Sequence, residues 1–175
     1  RSFELARQRI GERPELLNLE AVFRLRRLDW AGAERLLRRS LELEPERADT
    51  TGFLARSLAG QRRFEESYPF FLTAVRAEPG QLIHRQEYGF ALLRDGNAQE
   101  AVKVFEFARS IAPNDQLILA GLMLAYRETD DSRFHYLFDM RKFVRVYDIG
   151  PPRGFADVRA FNHALATELD SLHTT

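Results

Sequence analysis

Small and bulky apolar residues recur along this chain in a 34-residue register. Three prolines mark it, Pro45, Pro79 and Pro113. The same spacing relates the small residues Ala33, Ser67 and Ala101, the bulky residues Leu37, Phe71 and Phe105, and the small residues Ser40, Ala74 and Ala108. We call each set of positions related by this spacing a column. A further column, formed by Ala21, Ala55, Gly89 and Met123, has a small residue at three of its four positions. Agreement between several columns predicts a chain built from repeated structural units.

Each unit is predicted to contain two helices, because its apolar residues recur at steps of three and four. Leu28 and Asp29 begin a short break between two such helices, and the segment from Asp95 to Asn97 forms a turn between another two. Asn97 and Glu100 have the spacing of a capping box. Each helix pair is expected to end at its proline, where a helix cannot readily continue.

This pattern resembles the tetratricopeptide repeat family over residues 14–127. Its third unit matches that family best, through Tyr88, Gly89, Leu92, Gly96, Ala101, Phe105, Ala108 and Pro113. The resemblance implies an all-α fold, a right-handed superhelical solenoid of antiparallel helix pairs. Glu20 and Arg24 depart from the family's apolar preference, and Pro69 falls inside a predicted helix, where it is expected to cost about 3 kcal/mol or to bend the helix unless the helix begins late.

The register divides the chain into six segments. We expect the second helix of a truncated preceding repeat (1–11), three repeats (14–45, 48–79 and 82–113), a degenerate last repeat with a short extended segment through Phe143–Tyr147 (115–147), and a proline-rich turn with an amphipathic helix (148–175). The apolar stripe of that last helix, predicted over Ala156–Leu172, is expected to cap the solenoid, because the ends of repeat arrays need a cover.

The tail also resembles the segment that joins tetratricopeptide repeats to a putative 2-oxoglutarate/iron(II) oxygenase domain in a group of bacterial proteins. The residues that carry this likeness are 143–148, Pro151, Pro152, Gly154, Phe155, Phe161, Asn162, Leu165, Leu172 and His173. It implies an alternative function, in which the chain is the recruiting or dimerising arm of an oxygenase whose catalytic domain follows Thr175.

Composition narrows the remaining function classes. Among 175 residues, 26 basic and 26 acidic side chains give a net charge of zero, which argues against nucleic acid or a membrane surface as the partner. The absence of cysteine excludes disulfides, thiolate metal sites and a cysteine nucleophile. No apolar run is long enough to span a membrane. We expect a cytoplasmic protein, although a chain that begins at Arg1 is no test for a signal peptide.

No catalytic, cofactor-binding or metal-binding residue is predicted in this chain. None of its histidines, His84, His135, His163 and His173, has an acidic residue two positions on, as the usual iron oxygenase pair requires. His135 and Asp139 are four apart and could share a helix face, but such a pair is more often a surface hydrogen bond than a metal site. Glycine-rich phosphate loops and hydrolase motifs are absent from the sequence.

The function predicted from the repeats is a protein-protein interaction scaffold. First helices of tetratricopeptide units line a concave groove, and their side chains that packing does not use are expected to bind a peptide or protein partner. These predicted groove residues are Asn18, Val22, Arg26, Arg56, Gln86, Phe90, Arg94, Leu124 and Arg127. Their mixture of apolar groups and arginines favours a partner with apolar anchors and acidic residues, although solvation alone also accounts for the arginines. A homodimer through the C-terminal helix is a third possibility.

Overall fold

Helices are the regular secondary structure of the part of the chain that the structure describes. This computed structural model describes residues 2–139, 142, 144, 147 and 150–173, and these residues contain no strand. The helices are α1 (Ser2–Ile10), α2 (Pro14–Arg26), α3 (Trp30–Leu43), α4 (Ala48–Gly60), α5 (Phe64–Ala77), α6 (Leu82–Arg94), α7 (Ala98–Ile111), α8 (Gln116–Glu128), α9 (Phe134–Leu137) and α10 (Val158–His173). None of these described helices is both long and apolar enough to cross a bilayer.

Two compact units make up the chain, Arg1–Phe138 and Asp139–Thr175. In the second unit, Asp157 begins α10 by accepting a hydrogen bond from the backbone N–H of Ala160 at 2.7 Å. The rings of Phe155 and Phe161 meet edge to face, with centroids 5.2 Å apart. The predicted helix over Ala156–Leu172 is therefore present, with its start two residues later.

The turns within the first unit repeat the 34-residue register in their backbone. Positive φ angles occur at Leu28 (61°), Arg62 (62°), Gly96 (85°) and Asp130 (51°). The next residue along donates its N–H to a carbonyl five positions back, in the pairs Asp29 to Arg24, Arg63 to Leu58, Asn97 to Leu92 and Asp131 to Tyr126. This is the Schellman motif, which ends one helix and turns the chain back. It accepts leucine and arginine where glycine would fit best, so the turn does not depend on glycine at each repeat.

The helices of the first unit form two layers. Helices α2 and α3, α4 and α5, and α6 and α7 pack as pairs, each pair joined by one of these turns. The first helices α2, α4, α6 and α8 also contact one another in sequence, whereas the described second helices α3, α5 and α7 have no backbone contact with each other. Because only the first helices are close together, they line the inner face and the second helices form the outer face.

Close helix contact depends on glycine and alanine. The ring of Phe105 on α7 lies between Gly89 of α6 and Gly121 of α8, where an added Cβ would lie 2.5 and 2.4 Å from its Cζ atom. Ala21, Ala55 and Ala101 are fully buried where the small columns predict them. Gly121 lies outside those columns, and the sequence pattern did not predict its role.

Glu20 and Arg24, the two residues that depart from the apolar pattern of the repeat, form hydrogen bonds with each other. Glu20 is buried and accepts hydrogen bonds from Nη2 of Arg24 at 2.9 Å and from Nη1 of Arg7 on α1 at 2.8 Å. Arg24 also bonds to Asp29 at 2.7 Å. The hydrogen bond with Glu20 and then that with Asp29 raise the pKa of Arg24. An ionic cluster therefore joins α1 to α2 where the repeat pattern has apolar contacts.

One local prediction is confirmed and another is wrong. Pro69 lies inside a helix, as the sequence predicts, since α5 begins at Phe64 and does not start late to avoid it. The prediction of a capping box is wrong, because the side chain of Asn97 makes no capping hydrogen bond. Its Nδ2 instead donates to Asp95 at 2.9 Å and to the hydroxyl of Tyr68 at 3.3 Å, so the carboxamide is engaged by the preceding turn and by α5.

We expect Gly121→Ala to destabilise the protein by about 1–3 kcal/mol, although alanine normally favours a helix by up to about 1 kcal/mol. The new methyl would overlap the Phe105 ring. Thermal unfolding followed by circular dichroism should show a melting temperature several degrees lower. Gly80→Ala is the control, because no atom lies within 4 Å of the added Cβ there. A melting temperature of Gly121→Ala at or above that of the wild type would contradict this packing role.

Candidate peptide-binding groove

The residues predicted to line the groove lie at equivalent positions of the first helices. Residues four apart share a helix face, so Asn18, Val22 and Arg26 project from the same side of α2. The 34-residue register brings the equivalent positions of the next helices to that face, namely Gly52 and Arg56 on α4, Gln86, Phe90 and Arg94 on α6, and Leu124 on α8. Arg127 follows on α8, one position before the register equivalent of Arg94.

Asn18 lies between α2 and α4 rather than on an open surface. It is 5% exposed, and its Nδ2 donates to Oγ1 of Thr50 at 2.7 Å and to Oδ2 of Asp49 at 3.3 Å. Its Oδ1 atom is buried without a hydrogen-bond partner among the described residues. The side chain therefore fixes the spacing of two first helices, at the cost of one unsatisfied acceptor.

Arg47 extends this contact into an ionic cluster at the start of α4. Its guanidinium pairs with Asp49 at 3.1 Å, Glu44 at 3.0 Å and Glu15 of α2 at 2.6 Å. Desolvation acts to raise the pKa of Asp49, but hydrogen bonds from Arg47 and from the Thr50 N–H outweigh it and hold that pKa below its usual value. Asp49 is therefore ionised at neutral pH, and this end of the groove is acidic as well as basic.

Gln86 has a similar position between α6 and α8. It is 7% exposed, and its Nε2 donates to Oδ1 of Asp115 at 3.0 Å. Asp115 also caps α8 by accepting from the N–H groups of Leu117 and Ile118. Two of the predicted groove residues, Asn18 and Gln86, thus hold the helices of the groove together and offer little surface to a partner.

A pocket of ≈ 220 Å³ lies between α4 and α6. Gly52 makes room for the ring of His84, since a Cβ there would lie 2.4 Å from Nδ1. Nε2 of His84 lies 3.0 Å from Oε2 of Glu78. Across the pocket, Arg56 pairs with Glu87 at 3.3 Å. Arg56 was predicted as a groove residue, whereas Glu87 and His84 were not, because their positions in the pocket are fixed by helix packing rather than by spacing.

The remaining arginines of the groove have different surroundings. Arg26 is exposed at the end of α2. Arg94 is exposed, donates to the backbone carbonyl of Phe90 at 3.3 Å and lies 6.0 Å from the ring centroid of Phe64. Arg127 pairs with its neighbour Glu128 at 2.9 Å. An exposed ion pair such as that of Arg127 with Glu128 contributes about 0–1 kcal/mol to stability, so a partner's carboxylate can take the place of Glu128 at little cost.

Apolar side chains accompany these arginines. Val22, Phe90 and Leu124 are each partly buried and occupy one column of the register, together with Arg56. Phe90 packs edge to face against Phe105, with centroids 5.1 Å apart. The groove therefore presents apolar surface on α2, α6 and α8, with charged side chains beside it. In the described residues no group of three metal-ligating side chains occurs.

The helix pairs, their turns and their two layers define a tetratricopeptide-like solenoid. MamA from Desulfovibrio magneticus RS-1 is similar in structure, with 15% identity, a TM-score of 0.69, and coverage of 80% of this chain and 82% of that one. MamA of MSR-1 is 17% identical, with a TM-score of 0.61 and coverage of 74% and 77%. A mutant O-GlcNAc transferase of Thermobaculum terrenum is 18% identical with a TM-score of 0.65, and the match covers 80% of this chain but 28% of the transferase.

These likenesses confirm the predicted fold class, an all-α solenoid of tetratricopeptide type. At such identities they establish the fold alone. No model of a known protein family matches the sequence. No curated protein matches it either.

We expect Thr50→Val to destabilise the protein by about 1–3 kcal/mol, because the buried amide of Asn18 then loses its 2.7 Å acceptor. Chemical denaturation measures the change. Thr73→Val is the matched control, since this exposed hydroxyl bonds only within its own helix and its loss should cost less than about 0.5 kcal/mol. The double variant Asn18→Leu with Thr50→Val should recover part of the loss. Equal costs at positions 50 and 73 would show that the bond is not structural.

Proposed function

We propose that this protein is an interaction scaffold, which binds a segment of a partner protein along the inner face of α2, α4, α6 and α8. The observation that carries the proposal is the column of Val22, Arg56, Phe90 and Leu124, whose side chains remain partly accessible after the helices have packed. Desolvated apolar anchors supply most of the free energy at such sites, and Phe90 is the largest of them here.

The partner is expected to carry acidic residues beside its apolar anchors. Arg26 and Arg94 are exposed, and the ion pair of Arg56 with Glu87 is one that a partner's carboxylate can exchange at little cost. Glu87 and Asp49 add negative charge to the same face, so a partner with alternating charges fits better than a uniformly acidic one. Asn18 and Gln86 support the groove by fixing its helices.

Photo-crosslinking in the native cell tests this proposal. With benzoylphenylalanine at position 22 or 124, we expect covalent adducts with the same partner protein, because both positions line one groove. The control is position 35, where Arg35 is exposed on α3 in the outer layer. Adducts of equal yield from position 35, or no adduct from either groove position, would contradict the assignment.

Self-association through α10 is a second proposal. Val158, Leu165 and Leu169 form an apolar stripe on α10, and each is about half exposed. Arg159 lies near the start of the helix and Glu168 near its end. They are nine residues apart and therefore lie on opposite sides of α10, each beside the apolar stripe rather than within it. The α10 helix of a second copy can bury the stripe without burying either charge.

Sedimentation velocity tests the pairing of α10. The wild-type chain is expected to show a dimer that Leu165→Glu converts to a monomer, because a carboxylate in the apolar seam costs too much to bury. His163→Glu is the control, since His163 lies on a different face of the helix and should leave the dimer intact. A wild-type chain that stays monomeric at ~100 μM would refute the pairing.

The oxygenase-arm alternative stays a prediction. It rests on the likeness of the tail, and several residues that carry it, including Phe143, Arg145 and Val146, lie outside the described residues. The predicted extended segment falls in the same stretch.

A further inference from the structure

A cleft of ≈ 320 Å³ opens on the outer face, between the second helices α5 and α7. These two helices have no backbone contact with each other, so α6 forms the floor between them. Leu72 and Val75 of α5 form one apolar wall, and Val104 and Phe107 of α7 form the other. The cleft is separate from the groove, which lies on the first helices.

Arg85 lies in the floor of this cleft. It is 8% exposed, and its Nη1 donates to the carbonyl oxygen of Pro79. Its guanidinium carbon lies 4.7 Å from the ring centroid of Phe107. None of the ion pairs among the described residues includes Arg85, although a guanidinium has five N–H donors. Burial lowers the pKa of this guanidinium below its usual value.

A buried guanidinium without a carboxylate partner is unusual. Glu20, which is also a buried charge, is satisfied by Arg7 and Arg24. The register equivalents of Arg85 are Leu17 in the first repeat and Thr51 in the second, both buried and both uncharged. Packing alone favours an uncharged side chain here, so the arginine is explained better by a ligand than by the fold.

The charges around the cleft indicate a monoanion. Lys103 and Glu100 lie at its rim and pair with each other at 2.8 Å, which leaves the single charge of Arg85 to be balanced. A dianion such as a phosphate monoester would keep one charge without a partner in this cleft. A carboxylate matches one guanidinium, because its two oxygens can accept two parallel N–H bonds. The apolar walls require that the carboxylate be attached to an apolar group.

We propose that the cleft between α5 and α7 binds a partner-protein segment in which a carboxylate lies beside an apolar side chain. The carboxylate bonds to Arg85, and the apolar side chain packs between Leu72 and Phe107. A protein segment fits better than a free fatty acid because the walls are open, with Leu72 38% and Phe107 55% exposed. Small-molecule sites bury roughly 70–90% of their ligand, whereas a protein segment covers an open cleft with its own neighbouring residues.

Titration of the ¹⁵N-labelled full chain, followed by amide chemical shifts, tests this site. The first probe is an acetylated pentapeptide that ends in leucine-phenylalanine with a free α-carboxylate. The second is its C-terminal amide, and the third is an amide with an internal glutamate-leucine-phenylalanine. We expect saturable shifts at Val75, Val104 and Phe107 with the first or the third probe, and binding roughly tenfold weaker with the second. The first and third probes separate a chain terminus from an acidic side chain as the source of the carboxylate.

Arg85→Met should weaken binding of the better probe by roughly tenfold or more, while Arg35→Met, an exposed arginine on α3, leaves it unchanged. Circular dichroism checks that Arg85→Met is folded. If it is not, Phe107→Ala serves instead, because the side chain is largely exposed, and a several-fold loss of binding is expected. Equal binding of the charged and uncharged peptides, wild-type binding by Arg85→Met, or no shifts in the cleft would overturn the proposal. Octanoate binding as tightly as the peptides would overturn the choice of a protein segment.

Discussion

The contact of the Phe105 ring with Gly89 and Gly121 is the constraint on which the third helix pair and its neighbour depend. A ring of this size fills the space between α6, α7 and α8 only if two of those helices offer no side chain where it lies. The same arrangement, one bulky residue of a second helix against a small residue of a first helix, recurs where Leu37 packs with Ala21 and where Phe71 packs with Ala55. Helix spacing is therefore set by residue size, and the inner face follows from that spacing.

The turns convert this spacing into a regular array. Each Schellman turn reverses the chain after the same number of residues, because the hydrogen bond five positions back fixes where the next helix begins. Leu28 and Arg62 adopt the left-handed conformation that Gly96 adopts without strain, so packing on both sides must hold them there. The register is thus maintained by tertiary contact and not by glycine at each turn.

Much of the fold was predictable because it is periodic. The columns through Leu37, Phe71 and Phe105 need only a 34-residue comparison of the sequence with itself. The bond between Asn18 and Thr50 links residues 32 apart, and that between Gln86 and Asp115 links residues 29 apart. Such spacings follow no column, since they depend on how closely two helices approach. For that reason the sequence identified Asn18 and Gln86 as groove residues, and only the structure shows that they join helices.

Close packing of the first helices has a consequence for the opposite face. Because the backbones of α5 and α7 are not in contact, the outer layer is open between the two helices. The walls of this cleft are apolar, but its floor holds Arg85, whose register equivalent in the first repeat is the uncharged Leu17. One geometric cause, small residues on the inner side, thus produces both a groove built from first helices and a charged cleft between second helices. The two faces differ in chemistry, because the arginines of the groove are exposed or paired while the guanidinium of the cleft is buried and has no carboxylate.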